Sequence, residues 1–287
     1  MYSHKILITL IVTTSLSTLC TVQEDEFFEA IQNEQTAQVK ELLKQNPNLV
    51  NSIGASGFTP LHTAIGMVNQ DLVKILLDHG ADANKKANAV TPLFDAIDLI
   101  NLGNMLPIIQ LLLNHNADTN IPNNNQVSPL LHAITRKASL ETIKLLLNHK
   151  ANPNASDQKG LTPLMKAAED GRKYIVEELL ERGASPNNQN NNGDDTALML
   201  AARAPLFPKN PPMGLYQEII KDLLAHGADI TLRNKSTLKT ALSQLDDMLD
   251  TTKNKDPMIK FLRELELPVL LKELENDLAF LGSRISK

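Results

Sequence analysis

Seven histidines, many carboxylates and a single cysteine are the side chains through which this chain could ligate a metal or attack a substrate. Four of the histidines, His79, His115, His149 and His226, stand directly before the residue that ends an apolar helical segment. There an imidazole can bond terminal carbonyls and meet the negative end of the helix dipole. If those segments stack, equivalent histidines lie ~8–10 Å apart, whereas zinc takes its ligands at ~2.0–2.3 Å. The four therefore cannot share one ion, and a structural role is expected. Catalysis would need a nucleophile, a base and an orienting group in one place. The Ser, Asp and His residues instead recur at caps, turns and helix ends, and no glycine-rich phosphate loop, H-E-x-x-H or G-x-S-x-G occurs. No catalytic residue, cofactor or metal is expected.

The elements that carry these residues recur. Thr59-Pro60-Leu61, Thr91-Pro92-Leu93, Ser128-Pro129-Leu130, Thr162-Pro163-Leu164 and Thr196-Ala197-Leu198 are spaced by 32, 37, 34 and 34 residues. Five residues after each Thr or Ser comes Ala64, Ala96, Ala133, Ala167 or Ala201, small enough for helices to approach closely. In the cleanest copy, Gly57 to Asn84, Thr59 caps a first helix and Pro60 fills its first turn, where a missing N–H costs nothing. Leu72, Val73, Ile75, Leu76 and Leu77 form the apolar face of a second helix that stops at Gly80. The corresponding stops are Asn116, Lys150, Gly183 and Gly227, with asparagine following at Asn84, Asn120, Asn154 and Asn187. A hairpin this short buries its faces only by stacking on neighbours.

The pattern resembles the ankyrin repeat, with its period of about 33 residues and its T-P-L-H-x-A signature. The resemblance spans roughly Asp25 to Pro268. Only His62 matches the signature histidine, Phe94, Leu131, Met165 and Met199 taking that place elsewhere. Lys150 stands where glycine or asparagine is expected, at a cost of about 1 kcal/mol. The resemblance implies an all-α ankyrin-repeat solenoid of stacked helix-turn-helix units with short hairpin loops. The expected divisions are a signal peptide over 1–20, an N-terminal capping repeat over 21–55 with Thr36 capping its second helix, five repeats over 56–234, a degenerate repeat over 235–267 and a C-terminal capping helix over 268–287.

Between the fixed alanines and leucines the side chains vary. Four residues after each turn come Thr63, Asp95, His132, Lys166 and Leu200, and seven after come Gly66, Asp98, Thr135, Glu169 and Arg203. Residues three apart share a helix face, so these form two rows. The residue before each turn is Phe58, Val90, Val127, Leu161 or Asp195, expected near an exposed hairpin tip. Such rows and tips line a concave protein-binding groove in the family resembled. The expected protein-binding residues are thus Phe58, Thr63, Val90, Asp95, Asp98, Val127, His132, Leu161, Lys166, Glu169, Leu200 and Arg203. The proline-rich insertion from Ala204 to Gly214 is either a tolerated surface loop or a recognition loop presenting Leu206, Phe207 and Met213.

Lys5 followed by the apolar run Ile6 to Leu19 suits the core of an export signal and is short for a membrane span. Cleavage would remove Lys5 and take the net charge from −5 to −6. That balance, with no tryptophan and 3% aromatic residues, speaks against nucleic acid. Cys20 is alone, so no intramolecular disulfide forms. The expectation is an exported monomer, periplasmic or secreted, that binds another protein, in one form a bacterial effector acting in a host cell. It makes no membrane contact once the signal is removed. The alternative is a scaffold tethered to the membrane by an uncleaved 6–19 segment.

Overall fold

The computed structural model describes residues 23–191, 194–204, 212–233, 240–241 and 260–265. Residues 1–20, Leu206, Phe207 and the 268–287 helix expected from sequence lie outside these. All regular structure among the described residues is helical, apart from one isolated bridge between Ala87 and Val90. None of these helices is long and apolar enough to cross a membrane.

The chain divides into two compact units. The first comprises residues 1–124 with 136–138, the second residues 125–135 and 139–287. The first unit contains α1 (residues 23–32), α2 (Thr36–Gln45), a 3-10 turn (Pro47–Asn51), α3 (Pro60–Gly66), α4 (Gln70–Asp78), α5 (Pro92–Asp98) and α6 (Leu106–Asn114). In it α3 packs on α4 and α5, while α4 packs on α2 and α6. Two layers result, short first helices in one and longer second helices in the other. Phe27, Ile31, Leu61, Ile65, Leu72, Leu76, Leu93, Ile97, Ile109 and Leu112 fill the space between them. Ala64 and Ala96 are wholly buried, as the close approach of α3 and α5 requires.

The second unit contains α7 (Pro129–Thr135), α8 (Leu140–Asn148), α9 (Pro163–Glu169), α10 (Lys173–Glu181), α11 (Ala197–Arg203), α12 (Met213–Ala225) and α13 (residues 260–265). It repeats the arrangement, α9 packing on α7, α10 and α11, and α12 on α10 and α11.

The helix ends have a common construction. The hydroxyls of Thr59, Ser128, Thr162 and Thr196 accept from the amides of His62, Leu131, Met165 and Met199 at 3.2–3.3 Å. Thr91 makes no such bond, and its hydroxyl is buried without a partner. After α4 the Gly80 amide donates to Leu77 and the Ala81 amide to Leu76, at 3.0 Å each, the paired bonds of a Schellman stop. The same pair follows α6, α8, α10 and α12. Such a stop needs positive φ, which Gly80 (87°), Gly183 (82°) and Gly227 (86°) adopt without strain. Asn116 (63°) and Lys150 (66°) carry side chains there. Imidazoles help close two of these ends, His79 Nδ1–H donating to the Ile75 carbonyl at 2.7 Å and His226 Nδ1–H to that of Asp222 at 2.8 Å.

Within each unit, side-chain amides tie neighbouring repeats together. In the first unit Asn51 donates to the Gly80 carbonyl (3.0 Å) and accepts from the Asp82 amide (2.8 Å). Asn84 does the same with Asn116 (2.9 Å) and Asp118 (2.7 Å). In the second unit Asn154 joins Gly183 and Ser185, and Asn187 joins Gly227 and Asp229, at 2.7–2.9 Å. An Asx turn recurs at the same place in four repeats: Asp82, Asp118, Asn152 and Asp229 accept from the amides of Asn84, Asn120, Asn154 and Thr231.

Thr36 does not cap α2. Glu34 takes the left-handed turn position (φ 55°) and Gln35 the cap position, so Thr36 becomes the first helical residue.

Candidate functional site

The first unit holds an open cleft of about 320 Å³ lined by Gln32, Ser56, Phe58, His62, Thr63, Gly66, Asp95, Asp98 and Leu99. Four of the residues expected to bind protein, Phe58, Thr63, Asp95 and Asp98, meet there. The loop before α3 supplies Phe58. One turn into α3 comes Thr63, whose hydroxyl donates to the Thr59 carbonyl at 3.2 Å. The next first helix, α5, supplies Asp95 and Asp98 on one face.

His62 forms the back of the cleft and is 2% exposed. Its Nε2–H donates to the Val90 carbonyl at 3.3 Å, and Nδ1 accepts from the Thr59 hydroxyl at 2.6 Å. That hydroxyl in turn accepts from the His62 amide. A neutral imidazole suits this arrangement, and burial pushes its pKa down to about 4. The Phe58 ring lies beside it, centroids 6.1 Å apart.

Asp95 has its carboxylate 4.0 Å from His62 Nε2 and its side chain 25% exposed. Burial, and secondarily the charge of Asp98, pushes its pKa up to about 6. No Lys or Arg side chain among the described residues reaches it, so its charge meets only a neutral ring and the opening of the cleft. Asp98 is compensated: Arg136 donates to its backbone carbonyl at 2.7 Å and stands 3.3 Å from its carboxylate. Asn101 holds Arg136 by donating to its carbonyl at 3.2 Å.

In the second unit the corresponding row is largely spoken for. Lys166 pairs with Glu169 at 3.0 Å and Asp170 at 2.8 Å. Burial pulls its pKa down, and those two carboxylates outweigh that to leave it above the usual lysine value. Tyr216 donates to the Glu169 carbonyl at 3.1 Å, its hydroxyl pushed up to about 12 mainly by burial. Arg203 pairs with Asp195 at 2.7 Å. Two expectations are corrected here. Leu200, on a helix that packs on α9 and α12, is 2% exposed and offers no binding surface. Asp195 is not an exposed tip: it is 5% exposed and turned inward onto Arg203. His132, Val127 and Leu161 are half-buried, as is Val90 in the first unit, and none of them lines the first unit's cleft. Met213, from the expected loop site, is half-buried at the start of α12.

The rows did not include Gln32 at the end of α1, Ser56 in the loop that carries Phe58, or Leu99 at the end of α5, all of which line the cleft. They also missed Tyr174, 70% exposed beside an apolar recess of about 210 Å³ formed with Leu140, Ile175 and Leu215. Its signal was an aromatic residue on the polar side of α10, where Ile175, Val176, Leu179 and Leu180 face the core. Among the described residues no group of three or more His, Cys, Asp or Glu side chains is placed to hold a metal ion.

Residues 27–123, 99–190 and 130–234 match three copies of the family model for ankyrin repeats, together more than half of the chain. The chain belongs to the ankyrin-repeat family. The fold agrees: the ankyrin repeat domain of Bcl-3 covers 83% of this chain over 97% of its own, with a TM-score of 0.65 at 24% identity. The human ASB11 ankyrin repeat domain covers 82% over 95% of its own, with a TM-score of 0.58 at 27% identity. Similar curated ankyrin proteins include the ankyrin repeat, SAM and basic leucine zipper domain-containing protein 1 of Notamacropus eugenii, 32% identical over 122 residues, and that of Mus musculus, 33% identical over 112. Those matches cover 42% and 39% of this chain, which spans about a quarter of the relatives' length (26% and 23%). Ankyrin repeats generally mediate protein–protein interaction, and the ankyrin fold is typically a scaffold without catalytic activity.

Proposed function

We propose that this ankyrin solenoid works by binding a partner protein through the cleft of its first unit, without turnover. The observation that carries the reading is the meeting of Phe58, Thr63 and Asp95 in one open cleft, with a half-buried carboxylate that no cation of the first unit compensates. Desolvating a charge without a partner costs stability. A fold retains such a feature most readily where a ligand completes it. The test is cross-linked capture by the full-length chain beside a Phe58→Ser, Thr63→Arg, Asp98→Lys variant with matching circular dichroism and melting. A partner held by the parent and lost by the variant supports the cleft. Equal capture by both sinks it.

In the same reading residues 1–20 are a cleaved signal that delivers a monomer to the periplasm or the cell exterior, and an effector role would begin there. The apolar 6–19 segment supports this by its length and its preceding lysine. The intact mass of the native protein decides between a processed chain beginning near residue 21 and an unprocessed, membrane-tethered one.

A further inference from the structure

The cleft of the first unit has a composition that selects its occupant. Its walls are apolar where Phe58 and Leu99 stand, its back is a neutral imidazole, and its one uncompensated charge is the Asp95 carboxylate. At about 320 Å³ it sits at the low end of the ~300–1,000 Å³ typical of ligand pockets, a size suited to one long side chain. An anionic occupant would meet two carboxylates. A purely apolar one would remove the remaining water from Asp95 and return nothing. A metal ion would find a single available carboxylate beside an imidazole whose two nitrogens are already engaged by Thr59 and Val90. A cation on an apolar stem satisfies both the charge and the walls.

Between the two cationic side chains the walls favour arginine. A guanidinium is planar, forks onto a carboxylate through two N–H groups, stacks on an aromatic face and is more weakly hydrated than an ammonium. Phe58 supplies an aromatic ring and Asp95 a carboxylate within the same cleft. The molecule already uses this chemistry one helical turn away, where the guanidinium of Arg136 sits 3.3 Å from the Asp98 carboxylate. With Asp98 taken, Asp95 is the position left for an incoming group.

We propose that the cleft receives a single arginine side chain of the partner, its guanidinium on the Asp95 carboxylate and its stem between Phe58 and Leu99. This rests on the reading that the cleft binds protein, and it names the chemistry of what is bound.

The test is selection of a displayed library of random 12-residue peptides on the full-length chain. Enriched peptides are resynthesised and their affinities measured by fluorescence anisotropy. The expected result is a fixed arginine among the binders. Replacing it with citrulline, which keeps the shape and removes the charge, should weaken binding at least tenfold, on the order of a charge-assisted hydrogen bond. Asp95→Asn should weaken the arginine peptide to the same degree and change the citrulline peptide less than twofold, which is the coupling expected of direct contact. The isosteric variant must show the parent's circular dichroism. Binders whose affinity ignores the citrulline exchange overturn the arginine assignment. If those binders still lose affinity in the Phe58→Ser, Thr63→Arg, Asp98→Lys variant, the cleft itself stands. Binders indifferent to all of these substitutions overturn both readings. A fixed lysine in place of arginine replaces the guanidinium with an ammonium and refutes the proposal as stated, as does a selection that enriches nothing.

Discussion

Asp95→Asn should make the protein more stable at neutral pH. The Asp95 carboxyl is held at about 6 in the folded chain, against about 3.9 when unfolded. A carboxyl with a raised folded pKa supports the fold while protonated. That support is complete below about pH 4 and is gone once the pH has risen through about 6. Two pKa units correspond to about 3 kcal/mol at most. The side chain is 25% exposed, and solvent screening brings a realistic figure to about 1–2 kcal/mol. Asparagine keeps the shape and carries no charge, so at pH 7.5 it recovers that amount. At pH 4 the folded parent is already protonated and the gain should nearly vanish. His62 acts in the opposite sense: its pKa, lowered to about 4, gives stability that is present above about 6.5 and lost as the pH falls through 4. Being common to parent and variant, it drops out of their difference at each pH. Urea denaturation of both proteins at pH 7.5 and pH 4 is the assay, with a midpoint rise of about 0.5 M expected at the higher pH only. A variant less stable than the parent at pH 7.5, or equally stabilised at both pH values, would refute the account of Asp95 as a desolvated, uncompensated carboxylate.

Three further substitutions test the scaffold. Asn154→Ala removes the amide that donates to Gly183 and accepts from Ser185, and should cost about 1–2 kcal/mol in urea unfolding. Glu178 is 7% exposed and pairs with Lys144 at 3.3 Å and Arg182 at 3.0 Å. Glu178→Ala should lower stability by about 2 kcal/mol, and the loss should persist in 1 M salt because one partner is buried. Lys150→Gly relieves a side chain held at φ 66° and should raise the thermal midpoint, the gain being about 0.5–1 kcal/mol.

The helical hairpins were legible because their boundaries are written in local chemistry. Thr-Pro-Leu triplets, the alanines five residues on and the residues in the left-handed stop each act within one turn of chain, so sequence alone located α3 to α12 and even the strained Lys150. Half of the cleft was legible for the same reason, since Phe58, Thr63, Asp95 and Asp98 hold fixed offsets from a turn. What escaped depends on packing and pairing beyond a single helical turn. Leu200 occupies the same offset as Thr63 and Asp95, yet it is buried where Lys166, at that offset on α9, keeps part of its side chain exposed. Asp195 turns inward because Arg203, eight residues away, offers it a charge. Gln32 enters the cleft from the end of α1, which has no Thr-Pro-Leu turn to set its register against Phe58. The state of Asp95 was also invisible, since burial and the nearness of Asp98 set it, not its identity.

The asparagine rungs have an asymmetry with consequences for how such a chain can change over generations. Each rung takes a specific side chain from one repeat and only main-chain atoms from the next, the carbonyl of Gly80, Asn116, Gly183 or Gly227 and the amide of Asp82, Asp118, Ser185 or Asp229. The receiving residues already differ in kind, glycine beside asparagine and aspartate beside serine, and the rungs survive. Cohesion between repeats therefore places no demand on the identity of the residue that receives the bond. Surface positions can drift toward new partners, and whole repeats can be gained or lost, while one asparagine per joint preserves it.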